Sequence, residues 1–489
     1  MKRTSAVICL LIAFSLISIP SIAQPPETLW TQTFGGYDGD DGKSIQQTAD
    51  GGYIITGYTM SFGEGCWDVW LIKTDSDGNE EWSRTFGGAG DDQGYRVKQT
   101  TDDGYIIIGQ TSSFGAGGSD IWVIKTGSDG NETWSQTFGG TSDESGFSVQ
   151  QTPDGGYIII GGTTSFGAGY MDVWLIKTDT DGNELWSQTF GGTEMDYGSD
   201  VQQTIDGGYI VSGQTSSFGA GGRDVWLIKT DNEGNEIWSQ TFGGAGREES
   251  SSVCQTEDGG FIIAGGTTSF GAGYLDVWLI KTDTDGNEVW SHTFGGAATD
   301  YAHCVQLTTD GGYIITGYTG SFGAGNVDVW LLKTDYEGNE LWSQTFGGAH
   351  YDWADSVHLC SDGGYIITGT TDSFGMGEND VFMIRVSADG TEVTEDITSI
   401  PTDYVFDEIY PNPFNPTATI SIALPKPSEL QVNVFNTVGQ EVTVLADGQY
   451  NQGYQQFTFD ATGLSSGIYF VQAIVPGQMN EMRKIVYMK

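Results

Sequence analysis

Apolar residues along this chain come in short blocks separated by polar, glycine-rich stretches, and the blocks keep a fixed spacing. A tryptophan returns every 52 residues, at Trp30, Trp82, Trp134, Trp186, Trp238, Trp290 and Trp342. Each stands in a version of one phrase, such as WSRTFGG at Trp82 or WSQTFGG at Trp134. An aspartate keeps the same beat ahead of a glycine turn, at Asp50, Asp102, Asp154, Asp206, Asp258, Asp310 and Asp362. Seven copies at one period are the signature of a repeat architecture.

Within the first unit, residues 44–48 read as a short strand, and Asp50-Gly51-Gly52 as a tight turn. Residues 53–57 return as a second strand, and a glycine-rich loop follows. Residues 68–74 form a third strand, residues 75–79 reverse the chain, and residues 80–86 form a fourth. Two hairpins predict a four-stranded antiparallel sheet. Val69-Trp70-Leu71-Ile72 is continuously apolar rather than alternating. Side chains alternate faces along a strand, so such a run predicts burial on both faces. Each sheet must then lie between two others, which radial stacking in a β-propeller achieves. A β-helix fits less well, because its rungs are much shorter than 52 residues.

The fourth-strand phrase first occurs at Leu29-Trp30-Thr31-Gln32-Thr33-Phe34, ahead of any first strand. At the far end Thr394 stands where the next Trp would fall. The fold class expected is therefore all-β: a seven-bladed β-propeller of four-stranded antiparallel blades over residues 24–390, followed by a smaller β domain. Residues 27–34 are expected to complete the blade formed by 352–388, which leaves no open sheet edge. Residues 27–392 resemble bacterial β-propeller repeat proteins whose units read W-x-x-T-F-G-G, D-G-G-Y-I-I-x-G and D-x-W-L-I-K-T-D-x-x-G-N. The resemblance implies a fold and an extracytoplasmic life, and little about chemistry.

Residues 391–409 read as a linker. From 410 to 489, alternating strands in about eighty residues suggest an Ig-like β-sandwich. The phrases YPNPFNPT, VFNTVGQEV, LSSGIYFVQ and KIVYMK resemble the type A sorting domain of the type IX secretion system of Gram-negative bacteria. That resemblance implies the export machinery as a partner and a secreted or outer-surface location, with the tail cleaved and the propeller released or linked to lipopolysaccharide. A structural module without a sorting role is the plainer reading. At the other end, residues 1–23 read as a signal peptide: Lys2 and Arg3, an apolar stretch, then Ser21-Ile22-Ala23. No other segment is long and apolar enough to predict a transmembrane helix in the mature chain.

Charge narrows the partners. The chain carries 19 basic and 65 acidic residues, a net charge of −46. That argues against nucleic acid and against docking on anionic lipid, and leaves cations, neutral polymers such as glycans, or a surface protein. Of the cysteines that survive export, Cys254 and Cys304 lie in corresponding strands of adjacent repeats and are the pair to consider for a disulfide; no disulfide framework is indicated.

Two sets of residues are candidate sites. Asp40, Asp92, Glu144, Asp196, Glu248, Asp300 and Asp352 precede the innermost strand in every unit and are expected to ring one mouth of the channel. Such a ring repels itself, and Ca2+ would relieve it; the competing reading is that each acid pins its own loop. The Asp75-x-Asp77-Gly78-Asn79-Glu80 phrase is better explained as a hairpin turn than as a calcium loop, and Lys73 is expected to pair with Glu80 across it. Departures from the repeat form the second set. One loop carries Tyr37, Tyr95, Phe147, Tyr197, Tyr301, Tyr351 and Trp353, the other Trp67, Tyr170, Arg223, Tyr274 and Glu378. Both loops should open on one face, where aromatics beside carboxylates would stack on sugar rings; the plainer view is that some only cover the loops. The four histidines, His292, His303, His350 and His358, show no H-E-x-x-H spacing, and no G-x-S-x-G elbow occurs. The reading is a non-catalytic binding or adhesion propeller; a carbohydrate-active hydrolase and a cation-stabilised structural surface protein are the alternatives.

Overall fold

In the computed structural model, which describes residues 25–389, 404–406, 409, 417–450 and 452–487, seven four-stranded antiparallel sheets follow one another along the chain. The signal peptide read at 1–23, most of the linker and the YPNPFNP phrase lie outside the described residues. The first blade consists of Asp40–Gln47, Tyr53–Thr59, Asp68–Thr74 and Glu80–Phe86, and the next five repeat it. The last blade takes Asp352–Leu359, Tyr365–Thr371 and Asp380–Val386 from one end of the propeller sequence and Thr28–Phe34 from the other. Trp30 faces Arg385 in that pairing, and Phe34 faces Val381. Ile45 and Ile55 of the first blade pack with Ile366 and Met383 of the last, so the ring is closed. The protein is an all-β, seven-bladed propeller.

The cores lie between blades. Ile158, Ile160, Val173 and Leu175 of the third blade pack against Val201, Val211 and Trp226 of the fourth. This is why the third strand reads as an unbroken apolar run: both of its faces are covered. Each fully buried aliphatic side chain stabilises the ring by about 1.5–3 kcal/mol. The recurring Trp interlocks neighbours from the outer strand. Trp82 meets Tyr105 of the next blade at 6.0 Å with the rings tilted by 57°, and Trp186 meets Tyr209 at the same distance and angle. Trp30 also lies under the hairpin turn at Gly78, whose φ of +82° and crowded Cα leave no room for a side chain.

The Asp75 turn is a hairpin held by its own side chain, which accepts from the Asp77 and Asn79 amides at 2.9 and 2.8 Å. The expected Lys73–Glu80 pair does not form. Glu80 points to solvent at the start of the outer strand, whereas Lys73 is buried and reaches back to Asp50 at 3.0 Å and Glu81 at 3.1 Å. The same lysine-to-turn link recurs as Lys125–Asp102, Lys177–Asp154, Lys229–Asp206, Lys281–Asp258 and Lys333–Asp310. In the last blade Arg385 takes the lysine's place opposite Asp362. The Cys254–Cys304 disulfide considered from the sequence is absent. All four cysteines of the propeller are free thiols; Cys254 donates to the Val305 carbonyl at 3.2 Å, and Cys304 points to Val357.

The second unit is a β-sandwich. Thr417–Leu424 pairs with Gly453–Asp460, and Ser428–Asn436 lies between Glu441–Tyr450 and Gly467–Val475, with Met479–Tyr487 at the edge. Ile420, Ile422 and Phe459 from one sheet meet Val432, Val434 and Val471 from the other in one core. Val405–Phe406, inside the segment read as linker, adds a short strand opposite Ala423 and Ile422, and Phe406 is fully buried. The sandwich therefore starts ahead of residue 410.

Candidate functional site

The loop that enters each innermost strand is hydrogen-bonded to the loop that precedes the third strand of the neighbouring blade. The Asp92 amide donates to the Trp67 carbonyl at 2.7 Å, Asp196 to Met171 at 2.8 Å and Asp40 to Asn379 at 2.8 Å. Both variable loops thus form one face of the ring.

On that face the seven acids are loop anchors, buried rather than open to the channel. Asp40, Asp92, Glu144, Asp196, Glu248, Asp300 and Asp352 are all fully buried. Asp92 accepts from the Gly88 amide at 2.8 Å and the Ser113 hydroxyl at 2.6 Å, and also from Thr111. Glu144 accepts from Gly140, Thr163 and Ser165 at 2.8–3.0 Å. The carboxylate oxygens accept from a backbone amide of their own loop and from hydroxyls about twenty residues on, which ties two loops of each blade together. Among the described residues no three His, Cys, Asp or Glu side chains are grouped to hold a metal ion.

The innermost strands build something else. Every one carries a β-bulge between its third and fifth residues, as at Gly42/Ser44, Gly94/Arg96 and Gly146/Ser148. A bulge leaves one residue unpaired and re-aims its side chain. The cause is legible in the neighbours. The third residue is small because a Cβ on Gly94 would stand 2.8 Å from Thr56 Oγ1 and 2.9 Å from the Gly57 carbonyl of the preceding blade. The glycine of each Y-I-I-x-G segment is required for a related reason: the Gln93 carbonyl presses onto the Gly109 Cα, and Asp41 onto Gly57.

The seven bulge residues are Lys43, Tyr95, Phe147, Ser199, Ser251, His303 and Asp355, and all seven line one axial cavity of about 320 Å³. Arg96, Tyr197, Gln214, Ser250 and Tyr301 complete its wall. Cavities of this size suit small ligands. Tyr95 and Phe147 stand 5.8 Å apart at 33°, and Tyr58 meets Tyr95 edge-on at 6.3 Å. The Tyr301 hydroxyl lies 2.7 Å from Ser251, and burial pushes its pKa up. His303 packs at 4.9 Å on Tyr301 and 5.7 Å on Tyr318; burial lowers its pKa and favours the neutral imidazole. Lys43 faces Asp355 across the seam of the ring at 3.5 Å, and Arg96 faces Asp200 at 3.4 Å. Asp200 is also held by Ser148 at 2.8 Å and by the Val253 amide at 3.2 Å. The Ser250 hydroxyl and the Gln214 carbonyl oxygen are buried without a hydrogen-bond partner.

Of the rim residues singled out in the sequence, Tyr95, Phe147, Tyr197 and Tyr301 come together in this cavity. Arg223 stands at its edge, 5.7 Å over the Tyr197 ring and 3.1 Å from Glu249. Tyr37, Tyr170, Tyr274 and Tyr351 stay on exposed loop tips away from it. Trp67 packs edge-on against Tyr58 at 4.8 Å, and Trp353 is half-buried at the second position of its strand. Lys43, Arg96, Ser250, His303 and Asp355 are new. For Lys43, His303 and Asp355 the signal lies in the strand itself: its third residue is always small and its sixth is Val or Ile, while the fourth changes from blade to blade.

Comparison with known proteins bears mainly on the tail. Residues 408–488 match the family described as the secretion system C-terminal sorting domain. The chain is therefore type IX cargo, secreted or displayed on the outer surface of a Bacteroidetes-type Gram-negative bacterium. Regulatory protein FlaEY of Caulobacter vibrioides is 24% identical over 249 residues, which is 46% of this chain and 25% of that protein. Among solved structures, the extracellular domain of a hybrid two component system from B. thetaiotaomicron is 10% identical, with a TM-score of 0.40, over 95% of this chain and 57% of that one. A fungal alcohol oxidase of the AA5 family in complex with copper is 11% identical, with a TM-score of 0.43, over 95% of this chain and 100% of that one. The chain spans only part of the first two proteins. No helix among the described residues is long and apolar enough to cross a membrane.

Proposed function

We propose that the exported propeller is a non-catalytic binding module that takes a saccharide at its axis. The observation that carries this reading is the bulge set. Seven side chains of six residue types, one from each blade, converge on one cavity, while the residues that build the blades repeat. A position needed only for the ring has no reason to vary between copies.

The lining suits a sugar. Tyr95, Phe147 and Tyr197 offer ring faces for its apolar side, and Ser250 and Gln214 offer polar atoms that lack partners. His303 is packed between Tyr301 and Tyr318, which fits a wall residue better than a proton carrier. Retention of a saccharide on the cell surface or in the medium would make the protein an adhesion or capture factor. A glycan array with the full-length protein tests this: retained sugar, recovered chemically unchanged, supports it, and release of a shortened sugar would replace it with hydrolysis.

A further inference from the structure

The thirteen basic residues of the propeller are unevenly placed. Seven form the repeated third-strand position opposite the Asp-Gly turns. Of the other six, Lys43, Arg96 and Lys98 lie on innermost strands, and Arg223 and Arg247 stand on the loop face, both against Glu249. Arg84 alone is on an outer strand. In a chain of net charge −46, two of these six, Lys43 and Arg96, line the axial cavity, and Arg223 stands at its edge.

Two of these cations, Lys43 and Arg96, stand farther from their carboxylates than the repeated lysines do, although Asp355, Tyr58 and Asp41 together favour the charged form of Lys43. The six repeated lysines meet their turn aspartates at 2.6–3.1 Å. Lys43 and Arg96 meet theirs at 3.5 and 3.4 Å. Charge-assisted hydrogen bonds are normally about 2.7–2.9 Å, so most donors of the Arg96 guanidinium remain uncommitted. Lys98 lies two residues beyond Arg96 on the same face of the strand, with Val97 between them in the blade core. Burial and the adjacent Arg96 charge disfavour its protonated form, which an anion would restore. The wall adds two hydrogen-bonding atoms without partners, Ser250 Oγ and Gln214 Oε1, and Ser250 is 2% exposed.

We infer that the axial cavity takes an acidic saccharide: a uronic acid ring whose carboxylate lies with Arg96 and Lys43, whose hydroxyls meet Ser250 and Gln214, and whose apolar face lies on Tyr95 or Phe147. The inference rests on the saccharide reading above and specifies its charge. It also answers a difficulty in that reading. An acidic protein repels an anionic ligand at long range, so recognition needs positive groups placed where the ligand is desolvated and screening by salt is weak.

Titration calorimetry on the full-length protein at pH 7 and low salt, with glucuronic acid, glucose and sodium sulfate as separate probes, tests the assignment. Glucuronate should bind at least tenfold more tightly than either of the others, and should keep that preference as sodium chloride is raised. Arg96→Gln should cut glucuronate affinity at least tenfold. Lys43→Gln gives the same reading without touching the Asp200 network, should Arg96→Gln fold poorly. Equal affinity for glucuronate and glucose, or no loss in either variant, overturns the charge assignment; sulfate binding as tightly as glucuronate overturns the sugar. If neutral sugars on the array are retained and acidic ones are not, this inference falls while the saccharide reading stands. If the array retains nothing, the saccharide reading itself falls.

Discussion

Lys177 Nζ stands 3.0 Å from Asp154 Oδ2, and the two partners are unequal: the lysine is buried and the aspartate exposed. The ammonium has one other acceptor, the Thr178 carbonyl at 2.8 Å. Asp154→Ala should therefore strand a buried charge and cost about 1–3 kcal/mol. Lys177→Met leaves a carboxylate in water and should cost less than about 1 kcal/mol. Urea midpoints of the two variants check this, and equal losses would contradict it.

Asp380 leads the third strand of the last blade, and its carboxyl is pushed up to about 6 by burial, with Asp40 nearby adding to the effect. A raised carboxyl pKa means that the folded state keeps a proton which the unfolded chain releases. Its contribution to stability is whole below about pH 4 and declines as pH rises through 6. Asp380→Asn keeps the acceptor for the Met376 amide at 2.7 Å and removes the charge. The variant should gain on the order of 1–2 kcal/mol at pH 7.5 and nothing at pH 4. A gain at both pH values, or a loss at pH 7.5, would show that burial does not penalise this charge.

The bulges depend on glycine. Gly109→Ala would set a methyl group against the Gln93 carbonyl, at a cost of about 1–3 kcal/mol. Relief by straightening the strand would turn Tyr95 out of the cavity. The variant should melt lower and lose ligand together; a variant that melts like wild type would mean that the bulge is not fixed by this contact.

Ring closure makes its own prediction. Removing residues 25–34 uncovers the third strand of the last blade, Asp380–Val386, as an open edge. The shortened protein should melt several degrees lower and associate on standing. An unchanged melting temperature would mean that the outer strand contributes nothing to the ring.

Most of the fold could be read from periodicity, because each blade obeys local rules. Unbroken apolar runs meant two covered faces, and the Asp-Gly steps meant hairpins. The site was only half legible. Tyr95, Phe147, Tyr197 and Tyr301 stood out as departures from the repeat, but the same logic also picked out Tyr37, Tyr170 and Tyr274, which are exposed loop tips. What separates the groups is a place on the innermost strand, Tyr95 and Phe147 at the bulge and Tyr197 and Tyr301 two residues before it, and the bulge is a register shift invisible without knowing which strands pair. The anchoring acids misled for the opposite reason. A sevenfold carboxylate looks like a metal ring until the hydroxyls of residues such as Thr111 and Ser113, some twenty positions away, are seen to fold back onto it. Lys73 likewise passes over Glu80, its nearer acid in sequence, for Asp50.

The account turns on whether the bulge residues, rather than the exposed loop tips, hold the ligand. Array binding by Phe147→Ala and by Tyr274→Ala, each checked for an unchanged melting temperature, separates the two directly. Phe147→Ala should lose at least tenfold of the saccharide signal, and Tyr274→Ala should bind as wild type does. Loss in Tyr274→Ala with full retention in Phe147→Ala would move recognition to the rim and contradict the axial site.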